Sequence, residues 1–462
     1  MTERHAMPSN KLIIVMVGLP ARGKSYITKK LARYLNWLQL ETTIFNVGER
    51  RRATACDCLE DESKTHATAP ATSTAQHSAD FFDPSNKRAV SQRDEIALST
   101  LRELLDHLQV GNSRVAIFDA TNSTVQRRNS ILDTISQQKE EAPDVLFLES
   151  RCFDETLLEH NMRLKLKGPD YEKVDPALAL VDFRNRVKMY ETSYESLGDY
   201  EESLGVSYLK LIDVGRKLVA FNINGFLAAQ TIEFLVNFHL SERQIWITRN
   251  GESEDDCVRR IGRHSPLSTT GQQYAQSMTK FILHQLSIWE KDKGTVPQDR
   301  KQKLNIWTSM MTQAIQTAQH FTTAQYMVKN SPLLNDLHAG KMTGMTFEEI
   351  NQQYPREMAD RKAAPVSYRW PGPGGEAHLD MIYRLRAVIL ELERSKDHIL
   401  LITHRAVMRV LLTYFEGLSR DNIANVDVPL NTLYLVEPHP YGVSVKTFQF
   451  CADSQWFYEK KQ

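Results

Sequence analysis

Six apolar residues, Leu12–Val17 (LIIVMV), run directly into Gly18-Leu19-Pro20-Ala21-Arg22-Gly23-Lys24-Ser25. A helical spacing of Ile27, Leu31, Tyr34, Leu35 and Leu38 follows. A continuous, β-branched apolar run without alternation suits a strand buried on both faces, which is the habit of a parallel sheet. The octapeptide fits G-x-x-x-x-G-K-[ST], and a strand before it with a helix after it is the context that gives the string meaning. Gly18 and Gly23, with Ala21 and Arg22 between them, let backbone N–H groups turn inward around phosphate oxygens. The helix N-terminus adds its positive end. Lys24 then reaches the β/γ-phosphates of a nucleoside triphosphate, and the Ser25 hydroxyl ligates Mg²⁺.

A second apolar run, Val115–Phe118, ends at Asp119, which places that carboxylate at the carboxyl edge of the same sheet. There it holds the Mg²⁺ shell or orients an acceptor hydroxyl; a helix N-cap is the plainer alternative. Strands at 145–149 and 207–213, with helices at 25–38 and 88–108, give strand–helix alternation over residues 1–240, hence a doubly wound, mostly parallel P-loop NTPase-type sheet. Residues 1–10 read as a disordered leader, and 53–80, poor in large apolar groups, as a solvated insertion. The pattern restarts at Gln244 with strands near 245–248, 305–308, 399–403 and 433–436, and helices at 271–288 and 377–394. A second α/β domain over 241–450 follows, with 451–462 as a tail.

Net charge decides which partners to discard. Lys plus Arg number 57, as do Asp plus Glu, so the formal charge is zero. A dedicated nucleic-acid binder would be basic overall, and a membrane-surface protein would carry a polybasic run. Five irregularly spaced cysteines make neither a disulfide framework nor a zinc site. No apolar run approaches the ~18 residues of a membrane span. We expect a cytoplasmic protein.

A phosphate loop alone leaves the acceptor open. Gly18–Ser25 with its Leu-Pro-Ala-Arg filling, Asn46-Val47-Gly48-Glu49 before Arg51-Arg52, Phe118-Asp119-Ala120-Thr121-Asn122, Pro169-Asp170-Tyr171, Tyr194-Glu195-Ser196-Leu197 and Asp213-Val214-Gly215 occur in this order. Together they resemble the 6-phosphofructo-2-kinase/fructose-2,6-bisphosphatase family over about 11–450. The resemblance implies an amino-terminal kinase that moves the ATP γ-phosphoryl group to the 2-hydroxyl of fructose 6-phosphate, and a homodimer through that half. By position, Lys24, Asp119 and Lys165 match catalytic residues, with Lys167 left open as the alternative lysine. Asn161 matches a nucleotide contact. Arg51, Arg52, Arg93, Thr121, Arg127, Arg186 and Tyr190 match sugar-phosphate positions. Arg50 and Val125 depart from the family pattern without removing a required group.

The carboxyl-terminal half resembles the histidine phosphatase (phosphoglycerate mutase-like) fold. Its chemistry needs an imidazole nucleophile in Arg-His-Gly-Glu, and here the string is Arg249-Asn250-Gly251-Glu252. An amide nitrogen, its lone pair delocalised, cannot accept a phosphoryl group. The family's site Arg is Gln313, a charged donor lost, worth roughly 1.5–3 kcal/mol. Its acid is Asp336, one methylene shorter than Glu, and Arg405 stands where the family has Gln. Arg249, Arg260, Arg361 and His404 match retained positions, His404 as a phosphate contact. The expectation is a kinase with a dead phosphatase domain. Two alternatives stand beside it: weak residual hydrolysis using Asp336 and His404, and a non-catalytic nucleotide and phosphosugar sensor.

Overall fold

The computed structural model describes residues 11–53, 79–111, 113–138, 142–166, 171, 174–292, 303–321, 325–439 and 442–460. The expected leader, nearly all of the 53–80 insertion, Lys167 and Pro169-Asp170 lie outside the described residues. The chain divides into two compact units, Met1–Phe238 and His239–Gln462.

In the first unit, β1 (Leu12–Val17) is buried at every position, as its unbroken apolar run requires. It lies between β3 (Val115–Asp119) and β4 (Asp144–Arg151), in the order β2-β3-β1-β4-β5-β6, where β2 is Thr42–Asn46, β5 Tyr208–Ile212 and β6 Lys217–Phe221. All pairings are parallel except β5–β6. That antiparallel edge departs from the uniform strand–helix alternation expected from the sequence. The short β5–β6 connection through Gly215 (φ +83°) makes a hairpin where a crossover helix had no room. Helix α1 (Lys24–Trp37) buries Ile27, Leu31, Tyr34 and Leu35. Helices α2 (Lys87–Val110) and α3 (Val125–Ser136) flank β3, and α4 (Glu155–Leu166) and α5 (Pro176–Thr192) follow β4. The chain leaves β1 toward β2 on one side and reaches β4 on the other, so the strand order reverses at the carboxyl ends of β1 and β3. Open α/β sheets bind ligands at such a switch point.

The second unit holds β13-β12-β11-β7-β10-β8-β9. Strands β7 (Ile245–Arg249), β10 (His398–Thr403), β8 (Leu304–Thr308) and β9 (Met327–Asn330) are parallel; β11 (Thr432–His439), β12 (Gly442–Cys451) and β13 (Trp456–Glu459) are antiparallel. Residues 451–459, expected as a tail, instead close the sheet edge. Phe457 is buried with Trp246, Tyr274, Phe281 and Phe450, and burying that ring favours pairing over a free end. Helix α6 (Thr269–Asp292) and helix α7 (His378–Arg394) occupy the expected positions, and α8 (Arg405–Glu416) follows β10.

Candidate functional site

The turn from β1 into α1 is held open by left-handed residues: Gly18 at φ +137°, Ala21 at +60° and Gly23 at +84°. A Cβ on Gly18 would lie 2.6 Å from the Ser150 carbonyl oxygen, so only glycine fits there. The loop is tied from both sides. Gly18 N–H donates to the Thr121 carbonyl (2.9 Å), the Ser150 hydroxyl donates to the Arg22 carbonyl (2.5 Å), and Asn161 Nδ2 donates to the Ala21 carbonyl (3.1 Å). Lys24 Nζ donates to the Gly18 and Leu19 carbonyls, both at 2.7 Å. Burial pushes its pKa down to about 7; Asp119 opposes the shift, while Lys165, Arg186 and Arg22 add to it.

Asp119 closes β3 beside this loop. Burial pushes its carboxyl above the usual range, against the pull of Lys24 and a hydrogen bond with Ser25. Asn46 Nδ2 donates to Asp119 Oδ2 (2.8 Å) from the end of the neighbouring strand β2. A buried carboxylate next to a hydroxyl fits Mg²⁺, which takes only one or two protein ligands and completes its shell with water and substrate phosphates.

The sugar-phosphate candidates gather around Phe82, a residue the sequence reading did not single out. The guanidinium carbons of Arg186, Arg51 and Arg93 lie 3.7, 5.3 and 5.9 Å from its ring centroid, and the Tyr190 ring centroid is 5.7 Å away. Stacking on an aromatic face holds like charges together at modest cost. Arg127 is ion-paired with Asp94 from α2. Arg22 turns its side chain away from the loop, to the Cys152 carbonyl (3.0 Å) and Glu191 (3.3 Å), leaving its backbone as the part that lines the turn. Arg52 Nη1 lies 3.7 Å from where a Cβ on Gly48 would stand. Thr121 is half-buried and contributes its carbonyl. Asn46 stands in a string already quoted above; Phe82 carried no local signal.

In the second unit, the register pairs Arg249 with Thr403 and Thr308 with Ile402, so residues 250, 404 and 309 emerge side by side from β7, β10 and β8. They form one hydrogen-bonded chain. Asn250 Nδ2 faces two acceptors, the Gly251 carbonyl (2.8 Å) and Asp256 Oδ2 (3.3 Å), which orients the amide. Its oxygen therefore faces His404 Nδ1 at 3.0 Å, and because an amide oxygen only accepts, Nδ1 carries the proton. His404 Nε2 is left to accept from the Ser309 hydroxyl at 2.7 Å. Burial pushes the His404 pKa down, which keeps the ring neutral. Both ring nitrogens are thus engaged within the protein, whereas the sequence reading expected His404 to contact phosphate. Gln313 Nε2 donates to the Arg263 carbonyl (3.0 Å).

A cavity of about 400 Å³ opens over this chain, and Arg249, Asn250, Arg260, Gln313, Asp336, Arg361, His404 and Arg405, all eight positions expected from sequence, line it. Arg409 and Asp256 line it too and were not foreseen. Arg409 is one helical turn from Arg405 on α8, a spacing that could have revealed it.

Comparison with known proteins gives the following. The sequence model described as 6-phosphofructo-2-kinase matches residues 2–242, and that of the histidine phosphatase superfamily, branch 1, matches 245–450. A probable 6-phosphofructo-2-kinase of Schizosaccharomyces pombe is 42% identical over 97% of the chain and 71% of its own length. The 6-phosphofructo-2-kinase 1 of Saccharomyces cerevisiae is 44% identical over 97% of the chain, which spans about half (53%) of that relative. The 6-phosphofructo-2-kinase/fructose-2,6-bisphosphatase 3 of Homo sapiens is 35% identical over 97% of the chain and 78% of its own length.

Proposed function

The chain belongs to the 6-phosphofructo-2-kinase family, and from that premise we propose that it transfers the ATP γ-phosphoryl group to the 2-hydroxyl of fructose 6-phosphate, while its second unit hydrolyses nothing. The observation that carries the first half is the juxtaposition of Lys24, at the start of α1, and Asp119, at the end of β3, with Arg186 close enough to depress the Lys24 pKa. One site thereby receives both the nucleotide and an anionic acceptor.

Phosphoryl transfer is mainly positioning plus charge stabilisation. The loop from Gly18 to Ser25 cradles the triphosphate. Lys24 and Lys165 place positive charge against the transferred group, and Arg51, Arg93 and Arg186, fixed on Phe82, hold the sugar phosphate with Tyr190 and Arg127. Ser25 and Asp119 would hold Mg²⁺, which would supply charge neutralisation to the phosphates. Arg52 and Thr121 belong to the rim of this site, Thr121 through the carbonyl that fixes Gly18.

The second half of the proposal rests on Asn250. It stands where the fold's chemistry needs a nucleophilic imidazole, and its amide and His404 satisfy each other. The homodimer and the cytoplasmic location form part of the same reading; among the described residues no helix is long and apolar enough to cross a membrane. The test is a direct assay of ATP-dependent product formation from fructose 6-phosphate, with Lys24→Ala as control. Loss of product in the parent protein would leave only a binding role.

A further inference from the structure

Tyr194-Glu195-Ser196-Leu197 leaves the carboxyl end of α5, and each of its side chains is engaged. Leu197 is buried in the core with Phe118 and Phe147. The Glu195 N–H donates to the Ser123 carbonyl (2.8 Å), and Glu195 Oε2 accepts from the Val125 N–H (2.6 Å). These two bonds fasten the stretch to the segment that follows β3. The other two side chains turn to one acceptor, Glu149 on β4. The Tyr194 hydroxyl donates to Glu149 Oε1, and the Ser196 hydroxyl is shared between Oε1 (2.9 Å) and Oε2 (3.0 Å). Burial and the neighbouring carboxylate push the Tyr194 pKa up, so the phenol keeps the proton that it donates.

Glu149 is 0% exposed, and its side-chain partners are neutral hydroxyls. Glu201, the other buried glutamate among the described residues of this unit, is ion-paired with Arg128 (2.7 Å). Burying a carboxylate on hydroxyls alone is costly. In return a carboxylate accepts at both oxygens, which an amide cannot do, and its bonds are about twice as strong as neutral ones. The position of Glu149 shows what those bonds hold. It stands opposite Val17, the residue before Gly18, in the β1–β4 register. Its neighbour Ser150 donates its hydroxyl to the Arg22 carbonyl and sets its own carbonyl against Gly18. Helix α5 in turn carries Arg186 and Tyr190, both set against Phe82, and Glu191, which meets the Arg22 guanidinium (3.3 Å). The strand that braces the phosphate loop and the chain leaving the sugar-phosphate helix therefore meet at one carboxylate.

We propose that Glu149 is a positioning residue for the phosphoryl transfer: by holding Tyr194 and Ser196 it ties α5, with Arg186 and Tyr190, to the strand that braces the phosphate loop, and so sets acceptor and donor in line. The proposal rests on the reading of the first unit as the kinase. Glu149 touches neither substrate and acts only through the two hydroxyls. With the tie cut, each half of the site keeps the groups that bind its own ligand. What is lost is their mutual placement, on which an in-line displacement depends. Such a loss lowers kcat and spares the separate affinities.

The test uses the full-length chain with Glu149→Gln, Tyr194→Phe, Ser196→Ala and Ser196→Thr. Initial rates with ATP, Mg²⁺ and fructose 6-phosphate give kcat. Calorimetric titration with a non-hydrolysable ATP analogue alone, and with fructose 6-phosphate alone, gives the two affinities, and thermal melts identify the folded variants. In Glu149→Gln, kcat should fall at least about tenfold while both affinities stay within about threefold of the parent. Ser196→Thr, which keeps the hydroxyl, should stay closer to the parent than Ser196→Ala. Because Tyr194 acts through Glu149, Tyr194→Phe should lower kcat by itself but add little to Glu149→Gln in the double variant. If Glu149→Gln does not fold, Tyr194→Phe and the two Ser196 variants carry the same test. Folded variants with the parent's kcat, or a loss confined to the affinity for one ligand, overturn the role of Glu149 and leave the kinase reading intact. A parent chain that forms no product overturns the kinase reading itself.

Discussion

Replacing Arg128 by Met removes a guanidinium whose side chain is 1% exposed. Its Nε and Nη2 hold Glu201 at 2.8 and 2.7 Å, and its Nη1 holds the carbonyls of Asn122 (3.3 Å) and Glu195 (2.9 Å). Breaking one side of a buried pair leaves a buried charge and costs about 3–5 kcal/mol. In a unit of this size that lowers the melting temperature by roughly 10 °C. Kinase activity should fall for a separate reason. The segment that Arg128 fixes also carries Thr121, whose carbonyl accepts from Gly18, and Asn122, whose side chain donates to the Met16 carbonyl. A displacement of about 1 Å in this segment costs on the order of 100-fold in kcat. The double variant Arg128→Met/Glu201→Met separates the two effects. Two apolar residues remove the buried-charge penalty and leave about 1 kcal/mol for each lost bond, those from Gly198 N–H to Glu201 and from Arg128 to the Asn122 and Glu195 carbonyls. They cannot hold the carbonyls of Asn122 and Glu195, so kcat stays low. Calorimetry and initial rates read the two quantities. A single variant that melts within 2 °C of the parent, or a double variant that regains full kcat, would refute the reasoning.

Gly18→Ala should abolish nucleotide binding in equilibrium titration, because its Cβ meets the Ser150 carbonyl oxygen at 2.6 Å in a left-handed conformation. Lys24 binds fewer protons folded than unfolded between its folded value of about 7 and its ordinary 10.5, so stability of the nucleotide-free protein rises with pH across that window. Lys24→Met should remove that contribution, on the order of a few kcal/mol at its low-pH end, from melts recorded at pH 7 to 10. ATP, by restoring charge around Lys24, should take up a proton on binding at pH 8, seen as a buffer-dependent heat that Lys24→Met lacks. Asn250→His should raise fructose 2,6-bisphosphate hydrolysis above the parent's background, and Gln313→Arg in addition should raise it a further 10- to 100-fold, the worth of one charged hydrogen bond.

The phosphate loop was legible because its string and its flanking periodicities agree, and β1 shows the burial that its run demands. The cavity of the second unit was legible through resemblance, since eight positions far apart in sequence converge there. Edge strands were not. In β6 (Lys217–Phe221) no residue is buried, so nothing in its composition separates it from a loop. β13 declares itself only through Phe457 meeting a core built elsewhere. Arg127 and Arg128 are adjacent and identical in kind, yet one pairs with Asp94 and the other is entombed with Glu201. Only the packing of α3 distinguishes them. The hydrogen bonds of His404 were hidden for a similar reason. Its role depends on which way the Asn250 amide points, and Asp256 and the Gly251 carbonyl set that.

The most direct test of the account follows both reactions in one preparation of the full chain. ATP, Mg²⁺ and fructose 6-phosphate should yield fructose 2,6-bisphosphate at a rate that Lys24→Ala abolishes. The same protein given fructose 2,6-bisphosphate alone should release no phosphate above the protein-free background. Product formation that survives Lys24→Ala, or steady phosphate release by the parent chain, would contradict it.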